Sequence, residues 1–241
     1  MKARWSLWYQ VVLTLARGIF WLLGGIRRVH LDRVPKTGPL LIAPAHFSHL
    51  DPPVMACALH RQAFFMAKEE LFRNALFGRF IRSIQAFPVR RGENDTEAIK
   101  HAIGLLQGGN AVLVFPEGTR GDGETLGSIS PGIAMLAKRS GAVVLPVGIV
   151  GTHLMLPRGQ KKLRRGRITI VYGEPFTYEQ MALEGLNEKE IRTAFVAELA
   201  ERIAGACREG GLDLRTAQKP LGRASSDSAG TAIATTDSEP A

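Results

Sequence analysis

His46 and Asp51 stand five residues apart, with Phe47, Ser48, His49 and Leu50 between them. A neutral imidazole takes a proton from an alcohol only when its tautomer and aim are fixed, and a carboxylate on the other ring nitrogen fixes both. The chain has no Gly-x-Ser-x-Gly elbow, and neither Cys57 nor Cys207 falls in this segment. A His–Asp pair without an enzyme nucleophile points to attack by a hydroxyl of the substrate itself. A plainer alternative stays open, in which His46 closes a loop and Asp51 caps a helix.

Cations recur further along: Lys68, Arg90 with Arg91, and Glu117-Gly118-Thr119-Arg120. Arg90 and Arg120 can hold a phosphate bidentately, and backbone amides around Gly118 can add donors. Each arginine taken singly reads equally well as a solvated surface residue. A base for a hydroxyl beside a phosphate site, in a chain with an apolar amino-terminal run, suggests a phospholipid precursor that bears both groups.

Four segments, in order, carry a family resemblance: His46-x4-Asp51, Phe87-Pro88-Val89-Arg90-Arg91-Gly92, Phe115-Pro116-Glu117-Gly118-Thr119-Arg120 and Val144-Leu145-Pro146-Val147-Gly148. The chain resembles the glycerophospholipid acyltransferases, in particular the PlsC-type lysophosphatidic acid acyltransferases, over roughly residues 30 to 175. The resemblance implies that His46, oriented by Asp51, is general base on the free hydroxyl of lysophosphatidic acid. That oxygen attacks the thioester of acyl-CoA or an acyl-carrier protein, giving phosphatidic acid without a cofactor, a metal or a covalent acyl-enzyme. It implies further that Arg90 and Glu117, Gly118, Thr119 and Arg120 bind the glycerol phosphate, and that the Pro146 segment lines the acyl site. Lys68 is added from its place after a strand. Three departures bear on the acceptor: Ile84 where the family has glycine, Pro88 where an aliphatic residue is common, and Ile129-Ser130-Pro131-Gly132 where many members carry Phe-Lys-x-Gly. Transfer to glycerol 3-phosphate or a lyso-aminolipid is the alternative. His49 reads as loop, and His30, His60, His101 and His153 as structural or surface residues.

These side chains need elements to hold them. Residues 40–43, 63–66, 86–89, 111–115, 143–147 and 168–172 read as strands, several of them continuous apolar runs of the kind buried on both faces. Helix starts are expected at Asp51-Pro52-Pro53, at Asp95, at Ser130-Pro131 and at the Asn187/Glu190 capping box, with stops at Gly108-Gly109 and Gly141. The alternation predicts an α/β fold with a mostly parallel central sheet flanked by helices, its chemistry beyond the carboxyl ends of the strands.

Residues 5–26 contain one charge, Arg17, and as a helix would be about 33 Å long. Ser6, Gln10, Thr14 and Arg17 draw a polar stripe along it, and Trp5, Trp8, Tyr9 and Trp21 are aromatics of the membrane–water boundary. A helix lying in the interface accounts for both patterns; a span with Arg17 reaching to the surface and a buried helix are the alternatives. No small-x-small cleavage site follows before Arg27, so a cleaved signal peptide is not expected.

The expected organisation is therefore a membrane-associating helix over 1–29, an acyltransferase domain over 30–215 and a disordered tail over 216–241. The chain of 241 residues has a net charge of +9, and the tail carries −1 of it, which leaves +10 on residues 1–215. With 45% hydrophobic and 22% charged residues it is neither a disordered chain nor a multi-pass membrane protein. The two distant cysteines exclude a disulfide scaffold and fit a reducing compartment. Expected partners are the lipid bilayer, a lysophospholipid and the acyl donor, at the cytoplasmic face of the cell membrane. A nucleic-acid partner is not expected, because no helix-turn-helix, zinc finger or ribonucleoprotein motif accompanies the charge. An inactive membrane scaffold would have no use for the His–Asp pair. The basic run at 161–167 reads as a loop, either merely solvated or touching anionic headgroups.

Overall fold

A computed structural model describes residues 7–90, 95–182 and 185–216. The readings placed on Trp5, Ser6, Arg91, Gly92 and the tail beyond Thr216 lie outside these residues. In chain order the elements are α1 (Leu7–Leu23), β1 (Ile26–Val29), β2 (Leu40–Pro44), α2 (Asp51–Ala58), β3 (Ala63–Lys68), α3 (Ala75–Ser83) and β4 (Ala86–Val89). There follow α4 (Thr96–Gln107), β5 (Ala111–Leu113), β6 (Thr125–Leu126), α5 (Gly132–Ser140), β7 (Val143–Val150) and α6 (Thr152–Met155). The last are β8 (Ile168–Tyr172), α7 (Glu188–Glu209) and β9 (Arg215–Thr216).

Seven strands form the main sheet in the order β1-β8-β7-β2-β5-β3-β4, and β6 pairs with β9 apart from it. The five strands from β7 to β4 run parallel, β8 is antiparallel to β7, and β1 is parallel to β8. The mostly parallel α/β sheet expected from the alternation is what forms. Period-two packing explains why the inner strands read as unbroken apolar runs. Leu41, Ala43, Val112 and Val144 face α4, α5 and α7, while Leu40, Ile42, Leu113 and Leu145 face α1 and α2.

β1 is a strand where the sequence reading had the helix run to Ile26 and a boundary at residue 29. The helix ends at Leu23, Gly24 and Gly25 turn the chain with φ of 130° and 82°, and Ile26–Val29 then pairs with Ile168–Val171. The segment before residue 30 thus contributes an edge strand as well as a helix. α1 buries Tyr9, Leu13 and Phe20 against the sheet layer. Its one charge, Arg17, donates from Nε to the Cys57 carbonyl at 3.1 Å and from a terminal nitrogen to Leu59 O at 3.5 Å, satisfying the carboxyl end of α2. Among the described residues, no helix is long and apolar enough to cross a membrane.

The expected caps are found at α4, where Asp95 accepts from the Ala98 N–H at 3.1 Å, and at α7, where Asn187 and Glu190 form a reciprocal capping box. The helix reading at Asp51 needs correction. Asp51 is the first residue of α2, and its side chain turns back to the chain ahead of the helix instead of capping the first turn.

Candidate active site

The backward turn of Asp51 builds the centre of the site. β2 ends at Pro44, and the chain passes through Ala45 to His46 before α2 begins. A single oxygen, Asp51 Oδ2, accepts from His46 Nδ1 at 2.9 Å, from the Phe47 N–H at 2.7 Å and from the Ser48 N–H at 2.8 Å. Asp51 is 0% exposed and His46 6%. Three donors on a buried carboxylate oxygen hold both the imidazole and the loop that carries it. Nδ1 is then the protonated nitrogen, by assignment from its acceptor, and Nε2 keeps the lone pair. The ring stacks on Phe115, centroids 3.9 Å apart and planes 22° apart, so it cannot swing freely.

A second carboxylate supports the same loop through the backbone. Glu117 Oε1 accepts the His46 N–H at 2.9 Å, Oε2 accepts the Gly127 N–H at 2.8 Å, and the His46 carbonyl accepts from the Gly121 N–H at 2.8 Å. Burial pushes the Glu117 carboxyl up to about 7, against the opposing pull of those two N–H groups. Each Glu117 oxygen thus already serves a backbone amide. The residue braces the loop that carries His46, whereas the resemblance implied a substrate ligand.

His46 opens on a cavity of about 190 Å³ lined also by Arg120, Lys68, His49, Phe115 and Leu71. A second cavity of about 400 Å³ holds Arg90, Gly118 and Thr119, with Val89, Ile99, Ile133 and Leu136 as apolar walls. The two share Met66 and Phe115. Arg120 and Lys68 are thus brought to the histidine, while Arg90 stands one cavity away, and Lys68 pairs with Glu70 at 2.9 Å. Gly118 adopts φ of 67°, a left-handed turn that suits glycine and bends the chain after Glu117. Pro146 is buried in mid-β7, in register with Ala43, and lines neither cavity. Its ring fills a buried position of the sheet.

Sequence reasoning passed over His49, Phe115 and Gly127. His49, read as loop, faces the His46 cavity, and its pKa is lowered by burial and then by Arg120 and His46. Its place inside the His-x4-Asp segment was the available signal. Phe115 stands directly ahead of Pro116 in the third motif; the strand expected over 111–115 ends at Leu113, two residues before it. His153 is half-buried and packs edge-on against Phe47, centroids 6.0 Å apart, next to the loop.

Residues 26–150, a stretch that contains His46, Asp51, Lys68, Arg90, Glu117 and Arg120, match the model of the family described as Acyltransferase. The chain belongs to the acyltransferase family. This acyltransferase is 29% identical over 196 residues to the 1-acyl-sn-glycerol-3-phosphate acyltransferase of Bacillus subtilis (strain 168), covering 81% of this chain and 94% of the relative. A protein of the same name from Streptococcus pneumoniae (strain ATCC BAA-255 / R6) is 31% identical over 180 residues, 73% of this chain and 64% of the relative. Among solved structures, the crystal structure of the 1-acyl-sn-glycerophosphate acyltransferase PlsC from Thermotoga maritima superposes with a TM-score of 0.68 at 25% identity, covering 84% of this acyltransferase and 79% of that chain. The kinship with PlsC-type acyltransferases expected from the four motifs is borne out.

Proposed function

We propose that this protein moves a fatty acyl group from a thioester donor to the free hydroxyl of lysophosphatidic acid, forming phosphatidic acid. The observation that carries this reading is the buried 2.9 Å contact of His46 Nδ1 with Asp51, made by a ring that lines a cavity also holding Arg120 and Lys68. The names of the relatives from Bacillus and Streptococcus support the acceptor.

In this reading Nε2 takes the proton of the acceptor hydroxyl as that oxygen bonds to the thioester carbonyl carbon. The tetrahedral adduct collapses with loss of the carbon–sulfur bond, and the imidazolium returns the proton to the departing thiolate. An ester and a free thiol result, with no acyl-enzyme, and base assistance of this kind contributes on the order of 10²–10⁴ in rate. Arg120 holds the acceptor phosphate from the His46 side, and Arg90 with Gly118 and Thr119 holds it from the adjoining cavity. No cofactor enters; acyl-CoA or an acyl-carrier protein is co-substrate.

The protein works at a membrane surface, on the cytoplasmic side. α1 turns Leu7, Trp8, Val11, Leu15, Ile19 and Leu22 outward, a face suited to the headgroup–acyl boundary. The basic loop at 161–167 is fastened beside the end of this helix, Gly166 donating to Leu23 O at 2.9 Å, so its cations suit anionic headgroups. The free, buried Cys57 and Cys207 fit a reducing compartment.

The test is transfer of labelled acyl groups from acyl-CoA and from acyl-carrier protein to a panel of lysophosphatidic acid, glycerol 3-phosphate and lyso-aminolipid. Labelled phosphatidic acid as the main product supports the reading. Preference for another acceptor overturns the acceptor and keeps the chemistry.

A further inference from the structure

We propose that α3 is a second lipid-facing helix, so that α1 and α3 meet the bilayer side by side with the mouth of the His46 cavity at their edge. This rests on the interfacial reading of α1.

On α3, Leu76, Phe77 and Phe80 occupy one sector of the helix and are 81%, 46% and 39% exposed, while Gly78 and Ile81, outside that sector, are buried. At 100° per residue the three exposed side chains fall within one third of the circumference. An exposed apolar residue standing alone needs no explanation, but a contiguous sector does. The sector does not stand by itself. The Trp8 indole donates to the Ser83 hydroxyl at 2.9 Å, which joins the first turn of α1 to the last residue of α3. α1 and α2 pack on one face of the sheet, and Ile84 just after α3 packs into the same apolar cluster. One helical layer therefore presents two neighbouring apolar surfaces. The opposite layer turns Glu97, Lys100, Arg192 and Glu201 outward.

The charges choose the occupant. Arg79 borders the apolar sector of α3, with Arg73 just ahead of the helix. Arg82 lies over the Phe72 ring at 4.8 Å, and neither Arg73 nor Arg79 pairs with a carboxylate among the described residues. Apolar side chains flanked by free guanidinium groups fit a bilayer of anionic phospholipid, the rings among the acyl chains and the cations at the phosphates. Leu71, exposed ahead of α3, also lines the His46 cavity. A lysolipid moving along the membrane would then reach the histidine without crossing water.

The test uses the full chain and vesicles of phosphatidylcholine mixed with phosphatidylglycerol, with lipids brominated along the acyl chain as quenchers. Trp21 fluorescence reports on α1. A Phe80→Trp substitution, made with Trp5, Trp8 and Trp21 changed to phenylalanine, reports on α3. Quenching of both reporters is expected. Quenching of Trp21 with a silent α3 reporter overturns this proposal and leaves the reading of α1 standing, whereas silence of both overturns the two together. In a second arm, Leu76→Ser, Phe77→Ser and Phe80→Ser combined should weaken vesicle binding by on the order of 10²-fold. Turnover of a short-chain, water-soluble lysophosphatidic acid should stay at the wild-type level. Unchanged vesicle binding, with dimers that the triple substitution converts to monomers, would make this face a contact between two copies and overturn the proposal.

Discussion

The side chain of Glu117 holds the backbone of His46: Oε1 accepts the His46 N–H at 2.9 Å while Oε2 accepts from Gly127 at 2.8 Å. A carboxylate whose two oxygens are both engaged this way fixes where the imidazole starts from. Glu117→Ala leaves the buried His46 N–H and the partly buried Gly127 N–H without acceptors and should cost about 2–4 kcal/mol of stability. Glu117→Gln, which keeps one acceptor, should lower kcat with little change in the KM for lysophosphatidic acid. A substrate ligand would show the opposite split. Steady-state kinetics and urea unfolding measure both.

The same residue makes stability depend on pH. Its folded carboxyl titrates near 7, above the unfolded value of 4.5, so in that interval the native state binds the extra proton. The penalty is absent below about 4.5, grows as pH rises, and is complete above about 7. Wild type should therefore lose stability relative to Glu117→Gln between these limits and run parallel to it outside them. Unfolding midpoints taken across this range test the sign.

His46→Ala should reduce kcat by at least 10²-fold, and activity within about tenfold of wild type would remove His46 as the base. Asp51→Asn should lower activity and also stability, because Asp51 Oδ2 serves the Phe47 and Ser48 N–H groups as well as the ring. A stability loss from Asp51→Asn that exceeds that of His46→Ala is the signature of this double duty, read by thermal unfolding of both variants.

Arg120 shares the His46 cavity and Arg90 stands in the next. Arg120→Ala and Arg90→Ala should each raise the KM for the phosphate-bearing acceptor by on the order of tenfold or more, the scale of one charge-assisted hydrogen bond. The KM for the acyl donor should change little. Equal loss toward donor and acceptor would assign these arginines to the donor.

Gly148 lies in β7 where α7 crosses closely: an added Cβ would stand 2.5 Å from the Ala206 carbonyl carbon and 2.6 Å from Cys207 N. Both neighbours are backbone, so Gly148→Ala should destabilise by about 1–3 kcal/mol. Calorimetry should show this as a lowered Tm.

Much of the scaffold was legible because its signals are local. The apolar run at 111–113, the β-branched run at 168–172, the Asn187/Glu190 box and the left-handed Gly141 each announce themselves within a few residues. β1 escaped because Arg27 and Arg28 looked like the polar border of a helix, and only pairing with β8, far along the chain, makes Ile26–Val29 a strand. At the site, the His46–Asp51 contact spans one short turn and could be anticipated. The division of Arg90 and Arg120 between two cavities could not, since it depends on how Met66 and Phe115 pack. The brace from Glu117 to Gly127 was equally hidden, because a carboxylate in a motif does not announce whether it faces a ligand or an amide.

α2 is eight residues long, about 12 Å. At one end Asp51 fixes the imidazole; at the other, the Cys57 and Leu59 carbonyls are held by Arg17 of α1. One short lever thus runs from the amino-terminal helix to His46. Trimming that helix to gain a tractable soluble fragment would uncover Tyr9, Leu13 and Phe20 contacts and release the far end of the lever, so truncation and inactivation should arrive together.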